Sequence, residues 1–164
     1  MEKALQNMQT AVEAFMKTMD DTDKKIAQID KKIKILREEL EPMEVKVLEL
    51  SSKLRETEHA LHDKLNKVKR VRRLYLNAKT DSQLKMYEKD YNQLMKEVHK
   101  LDKTLSDLKE QYDKLVQKEE KLLKKEMDLE AQKAELYHTR ERVMKQATQI
   151  MGRLSSKINR TRNA

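Results

Sequence analysis

The residues with the clearest chemical character are thirteen Lys and Arg that fall in two blocks without any acid. Residues 64–79 hold seven of them and residues 142–164 hold six, while the rest of the chain carries 29 acidic and 24 basic residues. Clusters of this kind can bind acidic protein surfaces, phosphate groups or anionic lipid headgroups, or can be a solvated face that keeps a helix soluble. The candidate binding residues are Lys64, Lys67, Lys69, Arg70, Arg72, Arg73 and Lys79 in the first block and Arg142, Lys145, Arg153, Lys157, Arg160 and Arg162 in the second.

Catalytic and metal-binding patterns are weak in this sequence. His59 and His62, beside Glu58 and Asp63, could in principle bind a metal, but a spacing of three is common by chance and is more typical of solvated surface histidines. The chain has no Cys, so it offers no thiolate nucleophile and no Cys-based zinc site. A single Gly leaves no Gly-rich phosphate loop. We therefore expect no enzymatic activity, no metal and no cofactor.

The composition predicts that long helices position these residues. With one Gly, one Pro, 40% charged and 4% aromatic residues, the chain lacks the material for an ordinary globular core. Lys, Glu, Leu, Gln, Met and Ala, all strong helix formers, dominate it. No stretch of about 18 apolar residues predicts a transmembrane segment, and the N-terminus lacks the apolar region of a secretory signal. The expected location is the cytoplasm, in association with the cytoskeleton, with the nucleus as an alternative.

An apolar heptad pattern runs along most of the chain. Starting at Leu5 and stepping by three and four residues, the a and d positions are apolar as far as Ala78, except at Thr22, Thr57 and Lys64. A second series runs from Leu84 to Leu115 without a miss. Sustained a/d heptads predict coiled-coil helices, so the fold class is all-α.

The two heptad series are out of phase by two residues, which predicts a bend between them. Residues 79–83 offer capping chemistry, because Thr80 and Gln83 have the spacing of a capping box, and Asp81 or Ser82 could also cap a helix. In an antiparallel pair, the sequence numbers of two facing core residues add to a constant. A sum of 162 pairs the last core residue before this segment with the first core residue after it. We predict a first helix at 2–78, a turn at 79–83, a second helix at 84–158 and a basic tail at 159–164. The alternative is an extended parallel dimer with a phase break near 79–83.

The part of the chain near the two termini departs from this pattern. Pro42 predicts a kink in the first helix. Beyond residue 118 the second helix places charged residues at a, and its apolar stripe rotates from a/d toward d/e. The residues at e, which predict a surface for another helix, are Leu123, Tyr137, Met144 and Met151. The expected partner there is a helical protein or a second copy of the chain.

The first basic block also resembles basic-zipper transcription factors. In those proteins a basic region leads into a leucine heptad, and Asn77 and Ala78 stand where such factors place Asn and Ala. The resemblance implies nucleic-acid binding by the basic segment 64–79. However, Gln83 stands in place of an expected Arg, and Asp81 adds a negative charge where phosphate would lie.

Three functions are therefore open from the sequence. The favoured one is a non-enzymatic scaffold or adaptor subunit of a larger assembly, associated with a microtubule, cilium or spindle. In that reading the two basic blocks lie at opposite ends of a rod of roughly 115 Å and bind an acidic filament such as tubulin. The second is a nucleic-acid-binding coiled coil, and the third is a membrane-trafficking tether or secretion-system stalk subunit.

Overall fold

The fold is an antiparallel hairpin of two long helices. A computed structural model describes residues 2–163 of the chain. Helix α1 spans Glu2–Leu76, with 75 residues, and helix α2 spans Asp81–Arg162, with 82 residues. The two helices pack against each other, which confirms the predicted all-α hairpin over the extended parallel arrangement.

The bend between the helices differs slightly from its predicted position. It occupies residues 77–80, whereas the sequence predicted a turn at 79–83. Helix α1 therefore ends two residues earlier than expected, and α2 begins three residues earlier. Heptad phase alone does not fix helix ends, because the first and last turns depend on local capping contacts.

Thr80 is the N-cap of α2, as the capping-box pattern predicts. Gln83 donates its backbone N–H to Thr80 Oγ1 at 3.2 Å, and the Gln83 side chain accepts the backbone N–H of Lys79 at 3.1 Å. In the usual capping box the returning bond goes to the cap residue itself. Here it reaches one residue further back. Because Thr80 already satisfies an N-terminal N–H group, α2 begins at Asp81.

The other end of α2 also extends beyond its prediction. The sequence predicted a basic tail at 159–164, but the helix continues to Arg162, and Asn163 donates its N–H to the Asn159 carbonyl at 3.1 Å. No Pro or Gly follows Gly152, so nothing in the sequence interrupts the helix there. Ala164, the last residue of the predicted tail, lies outside the described residues.

The interface between the helices follows the predicted heptads. The buried residues are Thr22, Ile26, Ile29, Leu40, Val98 and Leu105, and all of them occupy a or d positions. Three interhelical ion pairs join residues whose numbers add to 163, and a fourth joins a pair that adds to 161. Each of these sums differs by one from the predicted 162. The register of the hairpin therefore agrees with the sequence prediction.

The hairpin divides into two compact units. We call the part up to Glu39 and from Leu122 onward the terminal unit, and Leu40–Lys121 the bend unit. The division lies two residues before Pro42, and α1 is continuous across this proline. The predicted kink at Pro42 stays a prediction.

Candidate functional site

The first basic block lies in the bend unit, on the last turns of α1 and in the bend. Six of its seven cations are exposed: Lys67, Lys69, Arg70, Arg72, Arg73 and Lys79. Lys64 is half-buried because it occupies a d position of the seam. Within residues 2–163, Lys64 is also the single member of the block that forms an ion pair. The structure therefore presents five cations of this block to solvent on the last turns of α1 and a sixth, Lys79, in the bend.

Lys64 is bound to Glu97 across the helix pair. Its Nζ lies 2.7 Å from Glu97 Oε2. This hydrogen bond from Lys64 lowers the pKa of Glu97 below its ordinary value of 4.5, with the charges of Lys64 and Lys67 acting in the same direction. Lys64 thus serves the pairing of the helices, and it is the member of the predicted binding set that is least available to a partner.

A shallow groove of about 430 Å³ lies beside this ion pair. Lys67 and Arg70 of α1 border it, Val71 and Leu94 contribute apolar surface, and Asp90 stands on the α2 side. The groove therefore combines cations with apolar side chains. An acidic segment with apolar residues would fit its α1 border.

The second basic block lies in the terminal unit, on the last turns of α2. All six of its cations are exposed: Arg142, Lys145, Arg153, Lys157, Arg160 and Arg162. One of them, Arg142, donates a long hydrogen bond of 3.4 Å to Thr139 Oγ1. Because α2 continues through Arg162, these cations are carried on a helix, where the sequence predicted a separate tail for the last two.

Charged residues occupy three consecutive a positions of α2 in the terminal unit, and each is bound to a residue of α1. Arg37 donates a hydrogen bond to Glu126 at 2.6 Å, and Lys133 Nζ lies 2.6 Å from Asp30 Oδ1. Arg140 Nε lies 3.3 Å from Asp23 Oδ1. The three partners on α1 all occupy e positions. The seam therefore stays in phase through layers whose α2 residues are charged.

These ion pairs have different degrees of burial. Glu126 retains 13% of its side-chain exposure, and its Oε2 is buried without a hydrogen bond among residues 2–163. Lys133 is more open, and its hydrogen bond to Asp30 raises its pKa above the ordinary value of 10.5. The long stems of Lys and Arg can cover apolar neighbours while their charged ends reach outward. This explains how α1 and α2 remain paired along charged layers.

An exposed apolar edge follows from this arrangement. Because the charged a residues face α1, the apolar e residues of α2 are left at the side of the helix pair. Tyr137 is 44% exposed, Met144 53% and Met151 37%, and Met16 of α1, also at e, is 62% exposed. We call these four residues the Met edge. Leu123, the remaining member of the predicted helix-partner surface, is half-buried.

Met16, Met144 and Met151 line one groove of about 320 Å³. Phe15 and Ala147 are among the seam residues that line the same groove. The sequence prediction named the α2 residues and missed Met16. Its e position in the α1 heptad, facing Met144 across the pair, was the signal that could have identified it.

Among residues 2–163, no group of three or more His, Asp and Glu side chains is placed to hold a metal ion. Over the same residues, neither helix contains a segment long and apolar enough to cross a membrane.

In comparisons with known proteins, no family model, no curated protein and no solved structure matched this chain. The surface features of the described chain that could bind a partner are the two basic blocks and the Met edge.

Proposed function

We propose that this protein is a non-enzymatic scaffold or adaptor that binds an acidic cytoskeletal filament through its basic blocks. The observation that carries the proposal is the exposure of twelve of the thirteen predicted cations, eleven on helical surface and Lys79 in the bend. Helices hold such charges in fixed positions, and complementary charge accelerates association and aligns the partners. The expected setting is the cytoplasm, on a microtubule, cilium or spindle.

The first basic block is the stronger half of this proposed binding surface. Six exposed cations lie between residues 67 and 79, and no acidic side chain lies within that stretch. Helix α2 begins beside it with Asp81, whose charge partly offsets the block. A surface with this charge density favours a repeating acidic lattice, because several weak contacts can then form together.

The direct test is co-sedimentation of the full chain with microtubules at low salt. The informative variant carries Lys69→Gln, Arg70→Gln and Arg73→Gln, three exposed residues without ion pairs in the described chain. We expect affinity to fall about tenfold, which corresponds to about 1.4 kcal/mol spread over three surface charges. A matched control, Lys24→Gln with Lys31→Gln and Lys34→Gln, removes the same charge from exposed positions of the terminal unit.

Three results would contradict the filament proposal. The chain could fail to co-sediment at low salt, or the two triple variants could weaken binding equally. A short DNA duplex could also bind more tightly than microtubules, with affinity falling steeply as salt rises. That last result would favour the nucleic-acid reading of segment 64–79. Binding that requires vesicles of anionic lipid would favour a membrane tether instead.

A further inference from the structure

The Met edge is an apolar surface that the hairpin leaves uncovered. Scattered exposed apolar side chains are ordinary on proteins, but contiguous ones mark interaction sites. Here Met16, Met144 and Met151 share one groove, and Tyr137 precedes Met144 by one heptad on the same helix edge. Met16, Met144 and Met151 therefore form one apolar patch, and Tyr137 lies one heptad further along the same edge.

The spacing of the Met edge on α2 is the spacing of a helix-packing surface. Tyr137, Met144 and Met151 recur every seven residues, which keeps them on one side of α2 when the seam follows a heptad. Apolar residues at e beside d widen the seam so that it can contact a second neighbour. Met side chains adapt readily to the shape of a partner. The Met edge is thus suited to a helix with apolar residues at heptad spacing.

The border of the Met edge is acidic, although the whole chain carries a net charge of +8. The b positions lie next to e on the helix surface, and there Glu13, Asp20 and Glu141 are exposed. Asp20 also lines the groove itself. Over residues 9–27 and 134–151, neither helix has Lys or Arg at an e or b position. A partner that carries Lys or Arg beside its apolar stripe is electrostatically complementary to this border.

The same border disfavours a two-fold dimer through the Met edge. In such a dimer the same surface of both copies meets itself, so the carboxylates of Glu13 and Asp20 would approach like charges. The residue at e between the two acidic b positions is Met16, which has no charge to compensate.

We propose that the Met edge binds one amphipathic helix of a different protein, with apolar residues at heptad spacing and Lys or Arg on its flanks. The bound helix would complete a three-helix bundle in the terminal unit. This inference does not depend on the basic blocks or on filament binding, because it uses a different surface with the opposite charge.

The test uses the full chain and a labelled synthetic peptide of about three heptads, with Leu at a and d and Lys at the flanking positions. A second peptide has Glu in place of each Lys. We expect the Lys peptide to bind more tightly than the Glu peptide in fluorescence anisotropy. The positive net charge of the chain alone would favour the Glu peptide. Substituting Met16→Gln together with Met144→Gln should weaken binding of the Lys peptide at least about tenfold.

Met86→Gln is the matched control. Met86 lies in the bend unit and is 52% exposed, close to the 53% of Met144, so this variant repeats the Met144 substitution at similar exposure outside the Met edge. We expect this variant to bind the Lys peptide as the unsubstituted chain does. Circular dichroism should show equal helix content for all variants, because the substituted side chains are exposed.

Three outcomes would overturn the proposal. The Glu peptide could bind as tightly as the Lys peptide, or the Met16/Met144 variant could behave like the Met86 variant. Sedimentation equilibrium could also show self-association of the chain that the Met16/Met144 substitutions abolish. In that case the surface would be covered by a second copy.

Discussion

The terminal unit and the bend unit share one heptad register but fill it with different chemistry. In the bend unit, the a positions of α2 include Val98, Leu105 and Tyr112, which are buried or half-buried against the pair. In the terminal unit, the corresponding positions are Glu126, Lys133 and Arg140, which pair with α1 side chains. The comparison shows that the phase of this helix pair does not require apolar residues at every layer.

This difference also determines which surfaces remain for partners. In the bend unit the apolar residues of α2 are largely used by the pairing, and the last turns of α1, residues 64–76, are basic. In the terminal unit, charged residues occupy the seam and apolar residues remain at e. These ion pairs are only partly buried, and such pairs add little net stability compared with apolar layers, because desolvation and solvent screening offset much of their attraction. The terminal unit thus combines a less stabilising seam with an uncovered apolar edge.

The largest expected effect is loss of an apolar layer in the bend unit. Leu105 is 8% exposed, so Leu105→Ala removes buried apolar contact and leaves a cavity. We expect the free energy of unfolding to fall by about 2–4 kcal/mol. Urea denaturation followed by circular dichroism measures it.

Leu48→Ala is the control for this prediction, because Leu48 lies in the same unit and is 71% exposed. It should change the free energy of unfolding by less than about 0.5 kcal/mol. Similar losses from the two substitutions would contradict the burial assigned to the bend-unit seam.

A charged layer of the terminal unit should respond in the opposite direction. Glu126→Leu removes a largely buried carboxylate whose Oε2 accepts no hydrogen bond within residues 2–163, and it makes the layer resemble those of the bend unit. We expect a gain of about 1–2 kcal/mol in the free energy of unfolding. Thermal and urea denaturation measure this gain.

Arg37→Leu is the companion variant, since it leaves the Glu126 carboxylate without its 2.6 Å partner. It should reduce the free energy of unfolding. If Glu126→Leu were the destabilising variant and Arg37→Leu neutral, the charged layer would be a source of stability, and the contrast between the units would be wrong.

The sequence was sufficient to predict the seam and the antiparallel register, and it offered Thr80 as one of three possible caps of α2. These features depend on heptad periodicity and on local side-chain bonds, which neighbouring residues determine. The predicted helix ends differ from the observed ends by two to four residues. Because Thr80 caps α2, the helix begins before the first apolar residue of its heptad series. The helix-forming residues near the C-terminus are uninterrupted, so α2 continues to Arg162.

The charged layers were harder to predict. Charged residues at a positions suggested that the stripe of α2 rotates toward e. In the structure Lys133 and Arg140 stay in the seam, because their ends reach Asp30 and Asp23 on α1. That outcome depends on pairs about a hundred residues apart in the chain. Of the predicted helix-partner surface, Tyr137, Met144 and Met151 are exposed and Leu123 is half-buried, and its role in binding a partner stays a prediction.

The smallest expected effects concern pH, and they differ in sign between the units. In the bend unit the pKa of Glu97 is lowered, so its contribution to stability is present above 4.5 and is lost as pH falls through the lowered value. In the terminal unit the pKa of Lys133 is raised. Its contribution is present below 10.5 and is lost as pH rises through the raised value.

Glu97→Gln and Lys133→Gln test these two pH dependences by urea denaturation across the pH range. Glu97→Gln should reduce the change in stability near pH 4, and Lys133→Gln should reduce the change at alkaline pH. Titration of Glu97 by NMR should give a pKa below 4.5. An unshifted pKa, or the same pH profile for both variants, would show that the two ion pairs do not distinguish the units.

The measurement that tests the account most directly is the distance between spin labels at Lys17 and Lys145. Both residues are exposed in the terminal unit, their numbers add to 162, and the chain has no Cys to interfere with labelling. With labelled chain diluted into unlabelled chain, the hairpin predicts a distance of about 20–25 Å, from packed helix axes about 9 Å apart plus helix radii and label lengths. An unbent helix would place the labels about 190 Å apart. Absence of the short distance under these conditions would contradict the hairpin and every surface inferred from its register.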